Sequence, residues 1–304
     1  WVELFRRLNT VSEGTYKLVK LRERIRSLEK NNPNLEFFDA ALLNLFKHWF
    51  NPSFLVLKEI DWATPASILE KIIAYEAVHE INSWSELRSR LEPEDRRCFA
   101  FFHPLIANEP LIFVEVAFTN NMPRKIDEVI KIDRSVMSEE DISTAVFYSI
   151  SSCQDGLSGI SFGNFLIKEV VYKLKRKNEA LKKFVTLSPA PDFTKWLKEQ
   201  SIDEDLDEES LMKQAMTYLL YSNREDGFPN DPVARFHLGN GATLERINLN
   251  ADMSLKGIYQ SKGMMVNYLY DPDSLEKNHE LFFKTKKVQH SDKVGTLLKK
   301  LQIQ

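Results

Sequence analysis

Apolar residues recur along the first fifty positions at helical spacing. Leu18, Leu21, Ile25 and Leu28 fall three, four and three residues apart, predicting a helix with one apolar stripe. Arg22, Glu23, Arg24 and Arg26 then belong to its opposite, polar face. A second run, Leu35, Phe38, Leu42, Leu45, Phe46 and Trp49, predicts another helix that stops at Pro52. Two such helices bury little by themselves, so they pack on the rest of the chain or on another subunit. Beyond the short apolar run 54–57, Thr64-Pro65 reads as the cap and first turn of a helix reaching about His79. Ser83 and Glu86 form a capping box for a further helix, closed by Pro93.

The texture then changes to strands. Segments 98–102 and 111–118 flank a turn bounded by Pro104 and Pro110, which predicts antiparallel pairing. A helix opens near Ser138, and 145–151 is strand-like. Next come Gly156, Gly159 and Gly163, three glycines in eight residues, leading straight into an amphipathic helix from Phe165 to about Lys177. Another strand, 184–187, runs into Ser188-Pro189-Ala190-Pro191 and a helix around 193–199. The acidic stretch 203–209 reads as the solvated start of the next helix. After 231–242, which carries Gly239 and Gly241, follow an apolar run at 244–248, a helix near 255–261 and a strand at 264–270. The expected class is α/β (α+β): a helical head, 1–52, and a mixed-sheet body, 53–304.

Composition narrows this picture. With 44 acidic and 41 basic residues in 304, the balance argues against a polyanion binder held mainly by charge. The 43% hydrophobic content excludes global disorder. Cys98 and Cys153 are too few for a disulfide framework or a metal cage, which predicts a reduced, intracellular setting, cytoplasmic or mitochondrial. No run of about 18 apolar residues predicts a membrane span. Trp1 in a helix-like context suggests that the natural start, with any presequence, lies outside this sequence. The ending Leu301-Gln302-Ile303-Gln304 is not a peroxisomal Ser-Lys-Leu. Of ten glycines only Gly14 lies before residue 156, so chemistry that depends on unusual backbone belongs to the second half.

Four features are candidates for that chemistry. A strand, a glycine loop and a helix N-terminus together suit a pyrophosphate, because bare N–H groups and the helix dipole favour negative charge. The loop is neither Gly-x-Gly-x-x-Gly nor a P-loop, so a dinucleotide or nucleoside-triphosphate site is disfavoured, and a plain turn is the alternative. His237 sits just before a tight turn and is either catalytic or a satisfied structural histidine. Ser188, at a strand's end, either faces a ligand or caps the next helix. Cys153 reads as a small buried residue. No His-x-x-x-His or Cys-x-x-Cys spacing suggests a metal, and no Gly-x-Ser-x-Gly suggests a hydrolase.

Taken together, longer motifs resemble the malonyl-CoA decarboxylase family. They are Glu76-Ala77-Val78-His79, Gly156-Leu157-Ser158-Gly159-Ile160, Gly163-Asn164-Phe165-Leu166-Ile167-Lys168, the run 187–197, the run 231–242, and Gly263-Met264-Met265-Val266-Asn267-Tyr268. The resemblance implies an enzyme converting malonyl-CoA to acetyl-CoA and carbon dioxide with no added cofactor, neither biotin nor metal. It implies a helical domain, 1–52, that mediates self-association into tetramers, and a catalytic domain, 53–304, like the GNAT acetyltransferase fold. It places substrate binding on Ser158, Gly159, Ile160, Ser161, Phe162, Gly163 and Asn164, and the catalytic pair on Ser188 and His237. The spacing of Gly159 and Gly163, four apart, departs from the regular GNAT loop pattern.

The chemistry so implied sets expectations. His237 donates a proton to the carbanion, which calls for a pKa near or above the working pH. Ser188 hydrogen-bonds the malonyl carboxylate or relays a proton with His237, and Asn240, by adjacency, orients the imidazole. Two competing readings share the glycine loop: a GNAT-like acyltransferase, which needs an acceptor amine, and a CoA-binding scaffold without turnover.

Overall fold

The computed structural model describes residues 1–29, 32–106, 108–160, 162–203 and 205–302, with Asn164 described by its backbone alone. In chain order the helices are α1 Val2–Leu8, α2 Gly14–Glu29, α3 Glu36–Trp49, α4 Ala66–Tyr75, α5 Trp84–Leu91, α6 Asp127–Ile130 and α7 Gly163–Lys177. They continue with α8 Phe193–Glu199, α9 Glu208–Tyr221, α10 Pro232–Gly239, α11 Leu255–Ser261, α12 Leu275–Thr285 and α13 Asp292–Lys300. The strands are β1 Val56–Ile60, β2 Arg96–Phe102, β3 Ile112–Thr119, β4 Thr144–Ser152, β5 Lys183–Thr186, β6 Ser188–Pro189, β7 Thr243–Asn248 and β8 Met265–Leu269. They form one mixed sheet in the order β1-β2-β3-β4-β5-β8-β6, with β7 also on β8. The expected mixed α/β class with a helical N-terminus is therefore observed.

The chain divides into two compact units. The first comprises Trp1–Glu92, Arg97–Glu115 and Ile150–Glu169. Its core joins Ile68, Leu69 and Ile72 of α4 and Leu87 and Leu91 of α5 to Cys98, Ala100, Phe102 and Phe113 of the strands. Strand β1 pairs antiparallel with β2 from Val56↔Phe102 to Ile60↔Cys98. Helix α4 ends at Tyr75, four residues before the sequence predicts. The reason is Glu76, whose carboxylate accepts from the N–H groups of Val78 and His79, both at 2.8 Å, and so turns the backbone out of the helix. The buried face of α2 also differs from expectation. It carries Leu18, Val19, Arg22 and Ile25, while Leu21 and Leu28 are exposed. An arginine thus occupies a position that the apolar periodicity assigns to solvent.

The second unit comprises Pro93–Arg96, Val116–Ser149 and Val170–Gln304. Here β5 pairs parallel with β4 from Thr144↔Lys183 to Phe147↔Thr186. Strand β8 is antiparallel to β7 on one edge and to β5 and then β6 on the other. Ala117, Val146, Tyr148, Val185, Leu187 and Met265 close its core against Ile126 and Val129. The helix expected near Ser138 is only a short 3-10 turn, Glu139–Asp141.

Candidate active site

Ser188 lies where a strand is interrupted. Strand β5 ends at Thr186, the N–H of Leu187 donates to the Phe147 carbonyl at 3.0 Å, and pairing resumes at Ser188↔Val266 and Pro189↔Met265. Pro189 and Pro191 cannot donate to a ladder, which keeps β6 to two residues. The interruption is pinned by Asn267, whose amide donates to the Thr186 carbonyl at 2.7 Å.

His237 comes from the last turn of α10. Asp231 caps that helix, accepting from the Ala234 N–H at 2.7 Å, and Pro232 fills its first position. The second carboxylate oxygen of Asp231 accepts from the Tyr218 hydroxyl at 3.1 Å. Tyr218, fully buried on α9, packs on Phe193 and Trp196 of α8, with ring centroids 5.4 and 5.3 Å away. Burial pushes Asp231 up to about 6, and the hydrogen bonds from Ala234 and Tyr218 oppose this. Past the helix, Gly241 has φ +84°, and a Cβ there would lie 2.0 Å from the Leu275 carbonyl oxygen. Only glycine makes that turn into β7.

These elements bring Ser188 Oγ to 2.9 Å from His237 Nε2. On the other side of the ring, Nδ1 lies 2.7 Å from the Tyr270 hydroxyl. The imidazole stacks on Tyr268, with centroids 4.7 Å apart and planes 28° apart. Ser188 is 6% exposed and His237 2%. Desolvation lowers the His237 pKa to about 3, so the ring is neutral near pH 7. The expected pKa near or above the working pH is thus not that of the free protein: among the described residues no carboxylate is hydrogen-bonded to the ring to favour its charged form. Burial pushes Tyr270 far up, so its hydroxyl keeps its proton. With that hydroxyl as the donor, Nδ1 at 2.7 Å is its acceptor. Satisfying it puts the proton of the neutral ring on Nε2, which donates to Ser188 Oγ and leaves the Ser188 hydroxyl proton pointing onward.

Asn240 does not take the orienting position expected of it. Its side chain is fully buried, and neither amide atom has a hydrogen-bond partner. It caps α10 through its backbone N–H. Its amide lies against the Tyr270 hydroxyl, and that polar contact opposes the upward push of burial. Tyr270 is thus the ring's partner, a residue the sequence reading did not single out. It ends the predicted strand 264–270, and alternation with Tyr268 is the only local sign of it.

The glycine loop belongs to the first unit. Ser158 and Gly159 are exposed, Ile160 is half-buried, and Phe162 and Gly163 are buried. Ser161 lies outside the described residues, as does the Asn164 side chain. Phe162 packs edge-on against Phe50, with centroids 6.3 Å apart. Gly156 sits so close to α2 that a Cβ would lie 2.0 Å from the Val19 carbonyl oxygen, and Gly159 has φ +89°. Cys153 is buried, and desolvation raises its thiol well above its ordinary pKa, as befits a core residue rather than a nucleophile.

The malonyl-CoA decarboxylase N-terminal domain matches residues 1–50, and the C-terminal domain of that family matches 53–209 and 198–304. The mitochondrial malonyl-CoA decarboxylase of Anser anser anser is 34% identical over 350 residues, 98% of this chain and 69% of the relative. The crystal structure of malonyl-CoA decarboxylase from Agrobacterium vitis superposes with a TM-score of 0.92 at 47% identity, covering 97% of this chain and 79% of that one. The loading GNATL domain of CurA from Lyngbya majuscula, 14% identical with a TM-score of 0.51 over 72% of this chain and 98% of that one, shares the fold alone. Among the described residues no helix is long and apolar enough to cross a membrane. By domain match, by identity along nearly its whole length and by superposition, the chain belongs to the malonyl-CoA decarboxylase family.

Proposed function

We propose that this protein converts malonyl-CoA to acetyl-CoA and carbon dioxide through the Ser188–His237 pair. The observation that carries this reading is the 2.9 Å contact between Ser188 Oγ and His237 Nε2, buried in a member of that family. The bond from the α-carbon to the carboxylate breaks, its electron pair moves into the thioester as an enolate, and carbon dioxide leaves. The α-carbon then needs a proton, so each turnover consumes one. His237 is neutral in the free protein, and the substrate supplies what raises its pKa: a carboxylate beside a desolvated imidazole favours the charged ring. The proton therefore enters with the substrate. The incoming proton sits on Nδ1 and is donated to the Tyr270 oxygen; Ser188 Oγ gives its hydrogen to the α-carbon while Nε2–H replaces it, and His237 ends neutral with its proton on Nδ1, until exchange restores the Nε2–H form. Tyr270, on Nδ1, holds the ring in the plane this relay needs.

In this reading the segment Ser158–Asn164 receives the CoA pyrophosphate at the start of α7, where unpaired N–H groups favour an anion. The reaction draws on no added cofactor. The helices of residues 1–52 mediate self-association, with a tetramer as the assembly. The mitochondrial relative favours a mitochondrial setting, with a cytoplasmic one as the alternative. Incubation of the purified protein with malonyl-CoA alone tests the activity. Acetyl-CoA and carbon dioxide in equal amounts, with no acceptor added, are expected; turnover that requires an amine acceptor would identify an acyltransferase instead.

A further inference from the structure

Arg22 projects from α2 and is 1% exposed. Its Nε and Nη2 donate to the two carboxylate oxygens of Asp39 on α3, at 2.8 and 3.1 Å. Its Nη1 donates to two carbonyls of the glycine loop, Gly156 at 2.9 Å and Ser158 at 2.8 Å. All four residues belong to the first unit. A guanidinium is planar and its donors leave in fixed directions, so the two-point grip of Asp39 sets the direction in which Nη1 points.

The peptide bonds of the described chain are trans, and in a trans peptide the carbonyl and the following N–H point in opposite directions. Drawing the Ser158 carbonyl toward Arg22 therefore turns the Gly159 N–H away from it. The turn's own hydrogen bonds use the N–H groups of Leu157, Ser158 and Ile160. Among the described residues of the turn the Gly159 N–H has no such use, and it belongs to an exposed residue with φ +89°. We propose that Arg22 is a positioning residue for substrate binding: by holding the Gly156 and Ser158 carbonyls it presents the Gly159 N–H to a phosphate oxygen of the CoA thioester. The proposal rests on the reading of this loop as the CoA site.

The test compares malonyl-CoA with malonyl-pantetheine, which keeps the reacting thioester and lacks the pyrophosphate. Arg22→Lys keeps the charge, but an ammonium cannot hold Asp39 and both carbonyls in the guanidinium's plane. KM for malonyl-CoA is expected to rise about tenfold, the value of one charge-assisted hydrogen bond, with kcat nearly native and KM for malonyl-pantetheine unchanged. Asp39→Asn, which leaves Arg22 in place and loosens its aim, moves KM in the same direction by less, and carries the test if the lysine variant does not fold. Equal losses on both substrates, or a fall in kcat at constant KM, would overturn the proposal, because a merely structural arginine predicts those. Gly159→Ala separates the two layers. If it leaves KM for malonyl-CoA native, the loop is not the CoA site; if it raises KM while Arg22→Lys does not, the loop reading stands and the role of Arg22 falls.

Discussion

Ser188 Oγ lies 2.9 Å from His237 Nε2 although 49 positions separate the two residues. The serine is carried by a two-residue strand and the histidine by the last turn of a helix. Their only link to solvent is a few per cent of surface. A proton moving between them does so in a desolvated setting, where each hydrogen bond is stronger than in water and each unpaired charge is costly.

Removing either member of the pair should abolish most turnover. His237→Asn and Ser188→Ala are expected to lower kcat by roughly 10²–10⁴, the usual worth of a positioned proton donor. The two losses should not add, since the groups act as one relay. Steady-state assays of both single variants and the double variant give the answer. Near-native kcat in correctly folded single variants would end the assignment.

Tyr270→Phe removes the hydroxyl 2.7 Å from Nδ1 and nothing else. The neutral ring then has no reason to keep its proton on Nε2. A fall in kcat of about tenfold to a hundredfold is expected, with KM little changed. Nitrogen NMR of the histidine ring should show the proton leaving Nε2. An unaltered tautomer would mean that Tyr270 only fills space.

Two buried groups should make stability depend on pH in opposite ways. His237 has its pKa lowered from 6.5 to about 3, so its contribution is complete above 6.5 and is lost as pH falls, because the unfolded chain takes up a proton the folded chain refuses. Asp231 has its pKa raised from 3.8 to about 6, so its contribution is complete below 3.8 and is lost as pH rises through 6. Between about pH 4 and 6 each slope is ~1.4 kcal/mol per pH unit, and they offset. Asp231→Asn should therefore lose stability on acidification across that window relative to the parent, and His237→Asn should lose it on alkalinisation. Urea unfolding at pH 4, 5 and 6 measures both; curves that run parallel to the parent's would contradict the burial argument.

Gly241→Ala should be among the most damaging single-methyl changes in the chain. The added Cβ meets the Leu275 carbonyl oxygen at 2.0 Å in a conformation that side chains rarely adopt. A loss of roughly 3 kcal/mol or more, read as a fall in thermal midpoint, is expected from the clash and the strain together. Gly239→Ala, two residues earlier, meets only ring atoms at 3.9 and 4.0 Å and should be tolerated far better.

Local sequence alone set out much of this molecule. The capping box at Ser83, the strand 264–270 and the glycine loop before α7 were all legible, because caps, glycines and two-residue alternation act over a few residues, whereas α10 was not read as a helix. Ser188 and His237 were visible as candidates because each adjoins backbone that must break or turn. Only tertiary structure decided what meets what. It put Tyr270 rather than Asn240 on the imidazole, because Tyr270, one residue past strand β8, reaches Nδ1 from outside the helix that carries His237 and that Asn240 caps. It neutralised His237, because desolvation is set by everything packed around a ring and not by its neighbours in the chain. It also turned Arg22, which the apolar pattern assigns to solvent, into the buried anchor of a loop 134 residues away. A hydrophobic period reports which face of a helix is covered; it cannot report that the cover consists of carbonyls, which call for a donor.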